Sequence, residues 1–324
     1  MPEMNIVEAI NSALDGEMKR DKNVVLLGED IGEDGGVFRV TDGLAKKYGN
    51  ERVLDTPIEE TGIMGASIGM AAMGIKPVAE IQFDGFSLTT IDQLYSHASR
   101  LRNRSRGIYT CPLVLRIPVG GGIRALEHHS ESPETLFAHI PGIKVVIPSS
   151  PYEAKGLLIS AIRDPDPVIF LEPKRIYRAI KENVPSESYN IPLGKARIVR
   201  EGKALTLITY GSWVREATEA VEESKADVEI IDLRTLSPLD TETIVNSVKK
   251  TRRAVIVHEA PKNLGFAAEI IARINENAFY HLETPVERVT GYDTVMPFAS
   301  YENIFLINKE RIKSAITKII SMKA

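Results

Sequence analysis

Two pairs of adjacent side chains in this sequence could perform acid–base chemistry. Glu59 and Glu60 follow Pro57, where an apolar strand gives way to a helix, and His128 and His129 lie in a glycine-rich loop. Carboxylates at a helix start are stabilised by the helix dipole, so the glutamate pair also has a purely structural explanation. Histidine titrates near neutral pH and serves as an acid, a base or a hydrogen-bond donor. Both pairs are therefore candidate site residues.

The glutamate pair belongs to a strand–helix–strand stretch over residues 55–86. The helix is predicted over residues 61–74 and contains four glycines, at 62, 65, 69 and 74. A glycine inside a helix costs about 1 kcal/mol of helix stability relative to alanine. A sequence that keeps four of them indicates close backbone approach by another element or by another chain.

Strands and helices alternate along the rest of the chain. The predicted strands, such as 24–27, 113–117 and 168–171, are unbroken apolar runs, which is typical of a parallel sheet covered on both faces. The loop that follows the first of these strands is predicted to be a plain loop, and residues 87–106 are predicted to form one helix that ends in four arginines.

A polar stretch over residues 174–192, with two prolines, interrupts this alternation and indicates a domain boundary. The predicted fold class is α/β, with two doubly wound domains over residues 1–185 and 190–324. The second domain is smaller, and its size is typical of a single domain.

The composition excludes several functional classes. The chain has 40 basic and 44 acidic residues without a block of like charge, so nucleic acid is not an expected partner. The single cysteine, Cys111, indicates a reducing compartment and is predicted to be a buried structural thiol. Apolar runs are too short to cross a membrane, and the acids in the first 20 residues do not fit a signal peptide. We therefore expect a cytoplasmic protein with no membrane partner.

The motifs of other enzyme classes are missing. Neither an H-E-x-x-H motif nor a cysteine pair accompanies the two histidines, so zinc is not expected. The sequence has no Walker loop. The residues alone predict a two-domain α/β protein with a site around Glu60, Phe86 and His129.

Six segments resemble the beta subunits of thiamine-dependent 2-oxoacid dehydrogenases, the first, decarboxylating component of those complexes. They follow the family's order over nearly the whole chain: DTPIEETGIMGASIGMAAMG, AEIQFDGF, HHSESPETLFAHIPGIKVVIPSSPYEAKGLL, EIIDLRTLSPLD, VHEAP and GYDTVMPF. The resemblance implies a pyrimidine-binding thiamine-enzyme domain followed by a transketolase-like C-terminal domain. It is nearest to the branched-chain type, with the pyruvate and acetoin types as alternatives that share most segments.

The resemblance also implies roles for individual residues. Glu60, the acid that ends the TPI-x-E motif, would bind the aminopyrimidine ring of thiamine diphosphate. Phe86 would pack on that ring, and Ile58 and Gln82 would line the same pocket. A carboxyl group bound to the ring stabilises the imino tautomer, whose freed nitrogen deprotonates the thiazolium carbon. His129 would act when the acyl group passes to a lipoyl group.

The resemblance further implies a possible potassium site and a set of partners. Some relatives bind potassium, mostly through backbone carbonyls, at positions that correspond here to Leu113, Ala161, Ile162, Asp164 and Asp166. The GDG motif that holds diphosphate and magnesium in thiamine enzymes is missing from this sequence, and the family carries it on an alpha subunit. The implied assembly is a heterotetramer of two alpha and two beta chains that shares its active site between chains and serves a lipoyl-bearing acyltransferase core.

A non-enzymatic alternative is an assembly subunit that only completes the oligomer or anchors the core. Such a subunit would have no need of Glu60 or His129. Because both residues are present, the sequence favours the enzyme.

Overall fold

The computed structural model describes residues 1–322, in which strands and helices alternate as predicted. The strands are β1 (Glu3–Met4), β2 (Val24–Gly28), β3 (Val53–Asp55), β4 (Lys76–Glu80), β5 (Val114–Val119), β6 (Lys144–Val146), β7 (Val168–Pro173), β8 (Glu182–Asn183), β9 (Arg197–Arg200), β10 (Leu205–Thr209), β11 (Val228–Asp232), β12 (Thr235–Ser237), β13 (Ala254–Pro261) and β14 (Glu287–Gly291). The helices are α1 (Ile6–Arg20), α2 (Leu44–Tyr48), α3 (Glu60–Ala72), α4 (Ile91–Ser96), α5 (Leu101–Arg104), α6 (Glu134–Ala138), α7 (Pro151–Arg163), α8 (Trp213–Ser224), α9 (Thr241–Thr251), α10 (Ala267–Ala278), α11 (Glu302–Phe305) and α12 (Lys309–Ser321).

The first sheet has seven strands in the order β12-β6-β7-β5-β4-β2-β3. All neighbours are parallel except β12 and β6. Every residue of β2, β5 and β7 is buried, because helices cover both faces of the sheet. Helices α1 and α7 pack on one face, and α3 packs on the other.

The second sheet has five strands in the order β14-β13-β10-β11-β9, with only β9 antiparallel to its neighbour. Helices α8 and α12 pack on one face of it, and α9 and α10 pack on the other. The face that carries α9 and α10 shares one hydrophobic core with the α3 face of the first sheet. The two halves of the chain are therefore joined through apolar side chains.

The predicted domain boundary between residues 185 and 190 falls between β8 and β9. The division is not complete, because β12 from the second half pairs with β6 of the first sheet. The two domain ranges accordingly stay a prediction.

The prediction of a single helix over residues 87–106 is wrong. The segment is divided into a 3₁₀ helix (Phe86–Thr90), α4, a second 3₁₀ turn and α5. The hydroxyls of Ser87, Thr89 and Thr90 each donate to the backbone carbonyl three residues earlier. Such side-chain bonds compete with α-helical geometry at the start of a helix.

A buried charge network lies inside the first sheet and was not predicted. Arg116 of β5 donates two hydrogen bonds to Glu172 of β7 (2.7 and 2.9 Å) and one to Glu80 of β4 (2.5 Å). Tyr177 donates to the same glutamate, Glu172 (2.6 Å). Burial of charge is tolerated here because each ionic group has hydrogen-bonded partners.

Cys111 is buried, as predicted, and burial raises the pKa of its thiol to about 12. Among residues 1–322, no helix combines the length and the apolar character needed to span a membrane.

Candidate active site

Glu60 is the first residue of α3 and lies at the carboxyl edge of the first sheet. The N–H of Thr56 donates to the carbonyl of Gly28 (3.0 Å), which attaches the turn after β3 to the end of β2. The carboxylate of Glu59 caps α3 by accepting the N–H of Gly62. The structural explanation for carboxylates at a helix start therefore applies to Glu59.

A third carboxylate, Glu29, lies beside Glu60 and was not singled out in the sequence. Glu29 directly follows β2 and is buried; burial and the negative charge of Glu60 both raise its pKa. Its Oε1 has no hydrogen-bond partner among the residues that the structure describes. The signal that could have found it is its position, since it follows a strand that ends at the same sheet edge as β3.

Gln82 is oriented toward this corner. Its Nε2 donates to the Oδ2 of Asp30 (2.9 Å) and to the carbonyl of Glu29 (3.4 Å). Ile58, two residues before Glu60, leaves 84 % of its surface exposed, which is unusual for so large an apolar side chain. The predicted pocket residues thus surround the start of α3.

Aromatic rings connect this region to the histidine loop. The ring centroid of His129 lies 4.2 Å from that of Phe83 and 5.2 Å from that of Phe86, and His128 lies 5.3 Å from Phe86. Phe86 opens the 3₁₀ helix that packs against α3, and the hydroxyl of Thr61 donates to the carbonyl of Thr89 (3.3 Å) across that contact. The structure therefore brings Phe86 and His129 together beside the start of α3.

His129 is half-buried, whereas His128 is exposed. Burial, the positive charge of Lys174 and His128 lower the pKa of His129, with Glu127 acting in the opposite direction. Its Nδ1 is buried and has no hydrogen-bond partner within residues 1–322. The neutral form of the imidazole is therefore favoured, and its Nδ1 is left to accept or donate a further hydrogen bond.

The positions predicted for potassium already have other partners. The carbonyls of Leu113 and Ala161 accept backbone N–H groups. The carboxylate of Asp164 is paired with Lys144 (2.6 and 2.7 Å), and that of Asp166 is paired with Arg102 (2.7 Å). Ile162 is buried in the same turn at the end of α7. In the described part of the chain, no three His, Cys, Asp or Glu side chains are grouped as metal ligands.

Comparisons with known proteins agree with this architecture. Residues 2–180 match the family model of the transketolase pyrimidine binding domain, and residues 194–312 match that of the transketolase C-terminal domain. A solved structure described as a split gene transketolase, inactive beta4 tetramer, matches with a TM-score of 0.81 at 20 % identity over 99 % of both chains. At that identity the similarity shows the fold, two transketolase-type α/β domains.

Three curated relatives are much more similar in sequence to this chain than that transketolase is. The chain is 56 % identical to the pyruvate dehydrogenase E1 component subunit beta of Acholeplasma laidlawii, over 98 % of both chains. It is 49 % identical to the protein of the same name from Bacillus subtilis, over 99 % of both chains. It is 48 % identical to the 2-oxoisovalerate dehydrogenase subunit beta of Pseudomonas aeruginosa, over 98 % of this chain and 95 % of that one. This chain therefore belongs to the family of beta subunits of the thiamine-dependent 2-oxoacid dehydrogenases.

Proposed function

We propose that this chain is the beta subunit of a pyruvate dehydrogenase E1 component. With thiamine diphosphate it would decarboxylate pyruvate and pass the acetyl group to a lipoyl-bearing acyltransferase core. The assignment of pyruvate as the substrate rests on the 56 % identity to a pyruvate-type subunit, against 48 % to a branched-chain-type subunit. The comparisons thus favour the pyruvate alternative over the branched-chain type that the sequence motifs favoured.

The corner at the start of α3 suits the aminopyrimidine half of thiamine diphosphate. The exposed Ile58 and the half-buried ring of Phe86 provide apolar surface for a planar ring. Next to Glu60, the buried Oε1 of Glu29 has no hydrogen-bond partner within residues 1–322, as expected where a polar ligand group belongs. When bound, the cofactor supplies the carbanion stabilisation that decarboxylation of a 2-oxoacid requires.

In this proposal each residue has a defined task. The carboxyl group of Glu60 would hold a proton at the pyrimidine nitrogen, and Phe86 would pack on the ring. Ile58 and Gln82 would line the ring pocket. His129, whose neutral form is favoured by burial and by the charge of Lys174, would exchange a hydrogen bond with the lipoyl sulfur during acyl transfer.

We further propose that an alpha chain completes the site, in a heterotetramer of two alpha and two beta chains, and supplies the diphosphate and magnesium ligands. The support is the exposed face of α3, where Gly69 has open space around its Cα and Gly62 is also exposed. Within residues 1–322, packing does not require a small residue at position 69. A cytoplasmic location is proposed from the single reduced cysteine.

The potassium site stays a proposal, and its ligands are limited to backbone carbonyls. Because Lys144 and Arg102 neutralise the carboxylates of Asp164 and Asp166, a cation would be held by the backbone carbonyls of the predicted positions. A carbonyl oxygen has two lone pairs, so the existing N–H bonds leave one lone pair free at Leu113 and at Ala161. Thermal unfolding of the assembled enzyme in potassium and in sodium salts tests it, and a higher midpoint in potassium is expected.

Decarboxylation assays test the proposed function. The chain is assayed alone and with its alpha chain, with thiamine diphosphate and magnesium, on pyruvate and on 2-oxoisovalerate. We expect activity only in the mixture, with kcat/KM about 10- to 200-fold higher for pyruvate, the range that one methylene group in an apolar pocket already supports. A preference for 2-oxoisovalerate would assign the branched-chain type, and an inactive mixture that still assembles would indicate a non-catalytic subunit.

A further inference from the structure

The loop that carries His129 is attached at both of its ends to one buried ion pair. Lys174 directly follows β7, and Asp84 lies two residues before Phe86. The lysine Nζ and the aspartate Oδ2 are 2.5 Å apart, and both side chains are fully buried. Lys174 also donates to the carbonyl of His129 (2.8 Å) and to that of Pro118 (3.4 Å), at the other end of the loop.

These contacts use all the hydrogen-bonding capacity of the lysine. An ammonium group has three N–H donors, and Lys174 has three acceptors, one in each of three separate segments. Asp84 adds two backbone contacts, from the N–H groups of Gly85 and Gly120 (both 3.0 Å). The ion pair therefore fixes the segment of Phe86 and the two ends of the histidine loop relative to one another.

The pair also sets the environment of the imidazole. The positive charge of Lys174 is the second-largest cause of the lowered pKa of His129, after burial. His128 acts in the same direction and Glu127 in the opposite one. Burial disfavours the charges of both Lys174 and Asp84, so the pKa of the lysine is lowered and that of the aspartate is raised, and each charge offsets part of that penalty for the other.

We infer that Asp84 and Lys174 are positioning residues for His129, holding its backbone so that the imidazole packed against Phe83 and Phe86 faces the acyl-transfer site. The inference rests on the proposed function, in which His129 serves acyl transfer. Neither Asp84 nor Lys174 has to touch substrate or cofactor in this role. Loss of the pair should therefore affect acyl transfer more than decarboxylation.

The test uses the enzyme assembled with its alpha chain, thiamine diphosphate and magnesium. Lys174→Met removes the three donors, and the double variant Lys174→Met/Asp84→Asn also removes the aspartate charge that would otherwise stay buried without a partner. Lys155→Met is the matched control, because Lys155 is equally buried and donates to two backbone carbonyls, those of Pro185 and Ser186, outside the loop. Decarboxylation is measured with an artificial electron acceptor, and acyl transfer is measured with a lipoylated domain.

We expect acyl transfer in the double variant to fall about 100-fold more than decarboxylation, which is the cost of a misplacement of about 1 Å. The pH profile of acyl transfer should contain a limb that reports the pKa of His129 and is missing in His129→Ala. In Lys174→Met this limb should move to higher pH, because the pKa of His129 rises when the positive charge is lost. Lys155→Met should leave the ratio of the two rates unchanged.

Equal losses in the two reactions, or an unshifted pH limb, would overturn the inference and leave the pair as a stability element. His129→Ala separates this outcome from failure of the proposed function. If His129→Ala abolishes acyl transfer while the double variant lowers the two reactions equally, only the positioning role fails. If His129→Ala transfers acyl groups at the full rate, the proposed role of His129 fails instead.

Discussion

At the scale of single residues, Gly85 shows how closely the histidine loop is packed. An added Cβ at Gly85 would overlap the carbonyl oxygen of His128 and lie 2.6 Å from its ring Cγ. The backbone of Gly85 is right-handed, with φ of −62°, so the backbone itself would accept any residue. The need for glycine at this position is therefore steric, and it serves the contact between the Phe86 segment and the histidine loop.

Gly85→Ala should consequently displace the loop. We expect a loss of about 1–3 kcal/mol in the free energy of unfolding, as for other over-packed sites, together with slower acyl transfer. Denaturant unfolding of the isolated chain measures the first effect. Gly65→Ala is the control, because its Cβ would meet only Gln93 at 3.8 Å, and it should gain up to about 1 kcal/mol. Equal stabilities of the Gly85→Ala variant and the parent chain would contradict the account.

Several site residues could be predicted from their position in the sequence, and others could not. Glu60 and His129 were predicted as candidates because a strand–helix junction and a glycine-rich loop often carry catalytic groups. Asp84 and Lys174 carry no such mark: a lone acid and a lone base, 90 residues apart, become partners only through the fold. The roles of Glu60, Phe86 and His129 stay predictions that the experiments proposed here test.

At the scale of elements, one face of α3 packs inside this chain and the opposite face is exposed. Its buried residues, Ile63, Met64, Ser67 and Ala71, pack toward the first sheet. On the opposite face, no atom of residues 1–322 lies within 4 Å of a Cβ added at Gly69. Gly74, just after the helix, has φ of +86°, a conformation that favours glycine. The glycine at 74 therefore ends α3, whereas for the glycine at 69 we propose contact with another chain.

Gly69→Leu distinguishes the stability of helix α3 itself from its proposed role in assembly. In the isolated chain we expect a gain of up to about 1 kcal/mol in unfolding free energy, because leucine favours helix and has open space. Assembly with the alpha chain should weaken at least about tenfold, measured by titration in analytical ultracentrifugation. Gly16→Leu in α1 is the matched control, since that position also has open space. Undiminished assembly of Gly69→Leu would exclude α3 as the contact surface.

The alternation of strands and helices could be predicted because apolar runs and amphipathic stretches are local signals. The division of residues 87–106 into short helices could not be predicted, because it begins with hydrogen bonds from three neighbouring hydroxyl groups to the backbone. Nor could the pairing of β12 with β6, which depends on how the two halves pack. The charge network of Arg116, Glu80 and Glu172 could not be predicted either, because the three residues lie in different strands and only the assembled sheet buries them together.

At the scale of the whole molecule, buried carboxylates hold the second half against the histidine loop. Glu259 of β13 accepts the N–H of Gly121 (2.6 Å), at the start of that loop. Glu134, the first residue of α6, accepts a hydrogen bond from the hydroxyl of Tyr210 at the end of β10 (2.8 Å). Burial raises the pKa of Glu134 to about 7. In the folded chain this carboxyl group therefore keeps its proton to a higher pH than it does in the unfolded chain.

This proton makes stability depend on pH. Because the pKa of Glu134 is raised on folding from its ordinary 4.5 to about 7, the folded chain holds a proton that the unfolded chain releases in this range. The stabilisation is complete below the ordinary pKa and is lost as pH rises through 7. Relative to Glu134→Gln, which is neutral at every pH, the parent chain should lose about 3 kcal/mol of unfolding free energy between pH 4.5 and pH 8. A pH-independent difference between the two proteins would contradict this.

The central claim is that Glu60 of this chain holds the cofactor in a site that a second chain completes. The most direct measurement is pyruvate decarboxylation by the assembled enzyme with Glu60→Gln, beside Glu59→Gln as the adjacent control whose side chain caps α3. We predict that Glu60→Gln loses about 10²- to 10⁴-fold in rate, while Glu59→Gln stays within about threefold of the parent enzyme. Full activity of Glu60→Gln, or an equal loss in both variants, would contradict the claim.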